Sequence, residues 1–295
     1  MKPIFEYNDT LNNPYEAFLF NSQTNPFPIT PHWHYFIEII YLLNGDACVQ
    51  SGTQTFILQP GDLLIFHPQV IHSISFHTAP ALQYYVIKFA PVYLNLANSN
   101  LPSLSSLLHM VQENPKLPII FRKQQLEEFP LKDLLERSVQ VITKKEFGYD
   151  IILHSYYCLI IAELLKIWKK QGFQINPQQQ KNSIHERFAS IAEYIIQHYQ
   201  EPLSVSSIAK HFHMSYSHFA LKFKEYYGQS CKDFIKQIRI QKAEDLLRFT
   251  DLDLSYISQE TGFCDCSHFI HVFKEYHGIT PKKFRQLSMK STPPV

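Results

Sequence analysis

His32, His34 and Glu38 stand at spacings of two and four, and another histidine follows at His72. Side chains along a strand alternate between its faces, so on one strand these three point the same way, inward if the strand belongs to a barrel. Imidazoles and a carboxylate gathered there serve either as polar contacts for a small molecule or as a set that satisfies itself at the barrel mouth. Trp33 or Tyr41 beside them supplies the aromatic wall usual in small-molecule sites, which makes His32, Trp33, His34, Glu38 and His72 a candidate pocket. Such a lining suits a sugar or another hydroxylated metabolite. Cys264 and Cys266 form a second candidate constellation, but no second pair at zinc-finger spacing accompanies them and they stand at a helix start, so a structural role is expected.

Residues 1 to about 100 must build the pocket. They are punctuated by Pro, Gly and Asn, and their apolar runs are short: Phe36 to Leu43, Thr55 to Leu58, Leu63 to Phe66 and Leu82 to Phe89. Short strands between turn signals predict a β-sandwich or barrel. From about residue 104 the period becomes helical. Leu131, Leu134, Leu135, Val139 and Ile142 fall on one face, and Ile152, Tyr156, Leu159, Ile160, Leu164 and Ile167 on another. The stretch 174–183 (QINPQQQKN follows Phe173) has the composition of a solvated linker, and everything after it reads as helix again.

The 295 residues carry 27 basic and 26 acidic side chains, which excludes a polybasic or polyacidic protein, and 45 % hydrophobic content excludes a largely disordered one. Only 8 glycines argue against a glycine-rich phosphate cradle. Five scattered cysteines and an opening without an apolar segment give neither a disulfide framework nor a signal peptide, and Ile151 to Trp168 is interrupted by His154 and Glu163. A cytoplasmic protein with no membrane partner is expected.

The last 110 residues contain a repeat. At an offset of 50, Ser217-His218-Phe219 aligns with Ser267-His268-Phe269, Phe223-Lys224-Glu225-Tyr226 with Phe273-Lys274-Glu275-Tyr276, and Gly228 with Gly278. Upstream the offset is 49, so the second copy has one residue inserted in its turn. Each copy reads as a short helix capped by Ser204 or Asp253, a tight turn, and a second helix from Ser215 or Asp265 that buries two Phe and stops at glycine. This is helix-turn-helix twice over, at about 204–225 and 253–276. In that motif the second helix enters the major groove of double-stranded DNA. The face opposite the Phe pairs carries Ser217, Ala220 and Leu221, with Tyr216 and His218 nearby, and Ser267, Ile270 and His271, with Cys266 and His268 nearby. Lys232 to Phe249 reads as one helix of roughly 27 Å, a spacer suited to readers about one DNA turn, ~34 Å, apart. Beyond residue 182 there are 14 basic against 12 acidic residues, so specificity rests on two-site geometry, with Lys224, Arg239, Lys242, Lys274 and Arg285 as the few phosphate contacts.

Residues 184–286 resemble the AraC/XylS transcriptional regulators, through this double motif, Ile238-Arg239-Ile240-Gln241-Lys242-Ala243, Gly262-Phe263 and Gly278-Ile279-Thr280-Pro281-Lys282-Lys283-Phe284-Arg285. The resemblance implies a reader that inserts two helices into successive major grooves. Leu221 and His271 depart from the basic residues often found on those helices; an apolar Leu221 suits a thymine methyl better than a guanine. Pro31 to Gly45 and Pro60 to His72 resemble the paired motifs of cupins, small β-barrels that commonly precede such a reader. In metal-binding cupins the matched positions His32, His34, Glu38 and His72 would hold Fe, Mn, Ni or Zn. His67 and Gln69 stand where Pro and Gly are usual, and in regulatory relatives the HxH pair is common without a metal, so no cofactor is expected.

The reading is an α+β chain. A cupin-like effector-sensing barrel (1–105) is followed by amphipathic helices that connect and dimerise (106–173), the linker (174–183), the all-α DNA-binding domain of two helix-turn-helix motifs joined by a long helix (184–286), and a tail (287–295). It describes a homodimeric, ligand-responsive transcription regulator, not an enzyme, whose helices at 126–146 and 149–171 make the dimer contact. The alternative is a metal-dependent cupin enzyme fused to a helical domain.

Overall fold

The computed structural model describes residues 4–6, 15–78, 80–94, 104–175 and 184–290, so most of the expected linker lies outside the described residues. The chain divides into two compact units, one reaching Glu186 and the other running from Arg187.

In the first unit, strands β1 (Ile4–Phe5), β3 (Ile29–Trp33), β8 (His72–Phe76), β5 (Ala47–Ser51) and β6 (Gln54–Leu58) lie side by side in that order. The second sheet has the order β10 (Ile120–Phe121), β7 (Leu63–Phe66), β4 (Ile37–Asn44), β9 (Gln83–Phe89) and β2 (Tyr15–Asn21). Pairing is antiparallel apart from β1 beside β3. Alternation sorts the side chains of the second sheet. Even-numbered residues such as Ile40, Leu42, Leu64, Phe66, Tyr84 and Val86 pack with Ala47, Val49, Leu58 and Ile74 of the first sheet and fill the interior. Odd-numbered residues such as Ile37, Ile39, Leu63, Ile65, Tyr85 and Ile87 pack against helices. Those helices are α1 (Leu104–Gln112), α2 (Lys123–Leu126), α3 (Leu131–Lys144) and α4 (Tyr149–Lys170).

Helix α4 is long and apolar enough to cross a membrane by length and composition. Here Leu153, Tyr157, Ile160, Ile161, Leu164, Ile167 and Trp168 are buried in the core on the sheet. Its orientation is fixed by two polar tips, Tyr157 donating to the Glu16 carbonyl at 3.0 Å and Trp168 Nε1 to the Pro118 carbonyl at 2.8 Å. The expected face is therefore rotated: Ile160, Leu164 and Ile167 are buried as read, whereas Ile152 and Leu159 face outward. The expected helix at 126–146 is broken before Leu131, where Pro130 removes a backbone donor.

The second unit holds α5 (Ile184–His198), α6 (Val205–His211), α7 (Tyr216–Tyr227), α8 (Cys231–Phe249), α9 (Leu254–Glu260), α10 (Cys266–His277) and α11 (Pro281–Lys290). Both copies of the repeat are built alike. Ser204 caps α6 by accepting from the Ser207 N–H, and Asp253 caps α9 by accepting from the N–H groups of Ser255 and Tyr256. Gly228 and Gly278 end α7 and α10 with positive φ. Phe219 and Phe223 pack on Phe188, and Phe269 and Phe273 pack with Phe263 and Val272 under Ile240, Ala243 and Leu247 of α8. The residue inserted in the second turn is Cys264, since Met214 corresponds to Phe263 and Ser215 to Asp265.

Candidate functional site

The polar groups of the first unit meet inside the sandwich, although not along one strand. His32 lies on β3, His34 in the crossing between the sheets, Glu38 on β4 and His72 on β8. His34, Glu38 and His72 are 1 %, 5 % and 1 % exposed, so any charge among them must be balanced locally. One oxygen, Glu38 Oε2, faces three nitrogens: His34 Nε2 at 2.7 Å, His72 Nε2 at 3.4 Å and Lys88 Nζ at 3.5 Å. Lys88 is itself buried and donates to both oxygens of Glu6 at 3.0 Å, while His32 Nε2 lies 3.3 Å from Glu6 Oε2.

These neighbours set the protonation. Burial alone would raise the Glu38 pKa, but the Lys88 charge and the hydrogen bond from His34 hold it well below the usual carboxylate range. At Glu6 burial is likewise outweighed, by the His32 hydrogen bond and Lys88, and the pKa falls to about 2. Burial pulls His34 down despite its bond to Glu38, so its ring is neutral and Nε2 donates to the carboxylate. His32 moves the other way: burial would lower it, and the bonds to Glu6 and the Thr30 carbonyl raise it.

Lys88 and Glu6 were not among the residues singled out from the sequence. Lys88 had a signal, a lone cation at an interior position of the apolar strand Gln83–Phe89, whereas Glu6 had none. Trp33 pairs with Tyr35 at 5.3 Å, while His32 and His72 pair at 4.2 Å and His34 and Phe36 at 6.2 Å; alternation thus separates Trp33 from the histidines.

His32, His34, Glu38 and His72 each offer a ligand atom within 4.8 Å of the others, so these four are the residues that could hold a metal ion. The Nδ1 atoms of His32 and His72 face the carbonyls of Thr30 and Val70 at 3.0 and 2.9 Å. A carbonyl only accepts, so Nδ1 carries a hydrogen on both rings. His72 Nε2 is buried without a hydrogen-bond partner among the described residues.

The second unit presents two matching faces. On α7, Tyr216, Ser217, His218, Leu221 and Lys224 are exposed and Ala220 is half-buried; on α10, Ser267, His268, His271 and Lys274 are exposed, with Cys266 and Ile270 half-buried. Asp265 caps α10 by accepting from the His268 N–H at 2.7 Å, and the His268 ring leans back to Cys264, with Nδ1 3.3 Å from Sγ. Lys242 is exposed. Arg239 is engaged: Nε donates to the Tyr199 carbonyl at 2.9 Å and Nη2 to that of Glu201 at 2.7 Å. Arg285 donates to the Leu252 carbonyl. Cys264 and Cys266 belong to no group of three or more metal-ligating side chains among the described residues.

Residues 13–155 match the AraC-like ligand binding domain, and residues 208–287 a helix-turn-helix domain. The chain belongs to the AraC family of transcriptional regulators. This AraC-family protein is 26 % identical over 271 residues to the Bacillus subtilis HTH-type transcriptional regulator YfiF, covering 90 % of this chain and 82 % of that one. It is 29 % identical over 150 residues to the Msm operon regulatory protein of Streptococcus mutans, covering 50 % and 54 %. The C-terminal domain of the two-component response regulator yesN from Fusobacterium nucleatum aligns at 32 % identity over 32 % of this chain and 94 % of that one, with a TM-score of 0.32. As an AraC-family protein it is a ligand-responsive, DNA-binding transcriptional regulator.

Proposed function

We propose that the exposed faces of α7 and α10 read DNA bases, that the cluster around Glu38 is where the effector acts, and that the protein works as a cytoplasmic homodimer without catalysis. The observation that carries the reading face is the repeat itself. Ser217 and Leu221 in one copy, and Ser267 and His271 in the other, are exposed opposite buried Phe pairs at the same offset. Lys224 and Lys274 flank them as phosphate contacts, with Lys242 on the joining helix.

The effector reading rests on a buried polar cluster inside an otherwise apolar sandwich. A sugar would find hydrogen-bond partners in His32, Glu6 and Lys88, but Trp33, turned to Tyr35, offers it no aromatic platform. The homodimer reading is supported by α4, which keeps an apolar outward stripe after packing on the sheet. Fluorescence anisotropy with the protein's own promoter DNA tests the regulator reading. Salt-dependent, sequence-selective binding is expected, and binding that does not discriminate among sequences would overturn it.

A further inference from the structure

We propose that Glu6, held between Lys88 and His32, occupies a seat for a free carboxylate, and that the effector of the first unit is a small carboxylic acid that takes its place. The inference rests on the reading of the first unit as the sensor and names the chemical class of its ligand.

Two carboxylates meet the Lys88 ammonium, and the chain holds them very differently. Glu38 stands on β4, the central strand of its sheet, paired with β7 on one side and β9 on the other. Glu6 follows the two-residue β1 at the edge of the first sheet, paired with β3, and its own N–H donates to the Trp33 carbonyl at 3.0 Å. Glu6 can therefore withdraw by releasing one short edge strand, whereas Glu38 cannot withdraw without breaking the sheet. Glu6 is also the outer of the pair it forms with Lys88: its side chain is 34 % exposed and that of the lysine 6 %. A molecule arriving from solvent meets Glu6 first.

What Glu6 holds defines what can replace it. Its two oxygens each accept from Lys88 Nζ at 3.0 Å, and Oε2 also lies 3.3 Å from His32 Nε2. With Glu6 gone, the ammonium keeps the 3.5 Å approach to Glu38 and loses both of its short contacts, an unfavourable state for a charge so little exposed. An incoming carboxylate restores both contacts and leaves the charge of the cluster unchanged. A hydroxyl or an amide restores hydrogen bonds but not the charge that Lys88 has lost. Glu6 competes for the seat as a tethered ligand, so a simple acid binds the wild-type protein weakly, and the effector must make up the difference through contacts of its remaining atoms.

The test uses the full chain, stripped of metal on a chelating resin, with formate and acetate as probes and formamide and acetamide as their neutral counterparts. Thermal unfolding and the carbon resonance of isotope-labelled acetate are the readouts. Glu6→Ala should lower the unfolding midpoint, and formate and acetate should raise it again in a saturable way, binding at least tenfold more tightly than to wild type, while the amides should not. Adding Lys88→Met to Glu6→Ala should abolish the response. Where Glu6→Ala fails to fold by circular dichroism, Glu6→Ser carries the same comparison. A folded Glu6→Ala or Glu6→Ser that takes up formate and acetate no more tightly than wild type overturns the proposal, as does an equal response to the amides or a response that survives Lys88→Met. Sequence-selective DNA binding by a protein that fails these comparisons overturns the carboxylate seat and leaves the regulator standing. The expected carboxylate response in a protein that binds no DNA supports the seat and removes the regulator reading.

Discussion

His213 and Gly262 occupy the same turn position in the two copies of the repeat, both in the left-handed region, at φ 53° and 79°. Each donates its N–H to the carbonyl three residues back, Lys210 and Gln259 respectively. Only the second copy is crowded: a Cβ at Gly262 would meet the Tyr199 carbonyl oxygen at 2.5 Å. Gly262→Ala combines backbone strain with that clash and should cost about 2–4 kcal/mol. His213→Gly relieves the strain but frees the unfolded chain, so its net effect should stay within about 1 kcal/mol. Urea denaturation of the full chain measures both. Equal effects of the two substitutions would show that Tyr199 does not impose the glycine.

His67 should give the first unit a pH-dependent stability. Its ring is 4 % exposed, neither nitrogen has a hydrogen-bond partner among the described residues, and burial, helped by the nearby His109, takes its pKa down to about 4. The unfolded histidine titrates near 6.5, so unfolding takes up a proton between these values. Stability is full above pH 6.5, falls as pH drops toward 4, and levels off below, losing up to about 3 kcal/mol. His34, also lowered, adds with the same sign, so the comparison must be with His67→Phe. Unfolding midpoints measured from pH 7.5 to 4.5 should decline less steeply in that variant. Parallel curves would place the proton uptake elsewhere.

What the sequence disclosed depended on how many independent constraints each element carried. In the second unit, cap, buried Phe pair and terminal glycine agree within each copy, and the copies check one another; every helix of the repeat begins at its expected cap. The first unit offered only alternation. That brought His32, His34, Glu38 and His72 to one interior but misassigned the first three to a single strand, because nothing local marks the crossing between Trp33 and Ile37. Two-residue β10 has no period to detect. Helix α4 is apolar around most of its circumference, so its period left the buried face undecided until the tips of Tyr157 and Trp168 fixed it. Arg239 had the spacing of a phosphate contact, and only its distances to Tyr199 and Glu201 show what it holds.

The outward stripe of α4 should govern self-association. Ile151 and Leu159 are 69 % and 53 % exposed and lie two turns apart on one side, next to Phe147 at 83 %. A charge there leaves the packed side of the helix untouched, so Ile151→Glu and Leu159→Glu should raise the dimer dissociation constant at least a hundredfold without unfolding the protein. Tyr157→Ala, on the packed side, should instead cost about 3–5 kcal/mol of stability. Sedimentation equilibrium separates the two effects. A stable dimer in the Ile151→Glu, Leu159→Glu double variant would place the contact elsewhere.

The two reading helices make separable contributions to DNA binding. Lys224 and Lys274 are exposed beside the reading faces and have no base to read, so Lys224→Ala and Lys274→Ala should weaken all sequences alike and each reduce the salt slope by about 1. Ser217→Ala, Leu221→Ala and His271→Ala should change which base is preferred, at about 1–3 kcal/mol per specific contact. Arg239→Ala is the control for mistaken identity. Its guanidinium is spent on the Tyr199 and Glu201 carbonyls, so the loss should show in unfolding, at about 1–3 kcal/mol, with the salt slope unchanged. Anisotropy titrations at several salt concentrations, against the natural site and single-base variants of it, provide all the comparisons. If Ser217→Ala and His271→Ala weaken every sequence by the same factor, these helices hold the backbone and the bases are read by other residues.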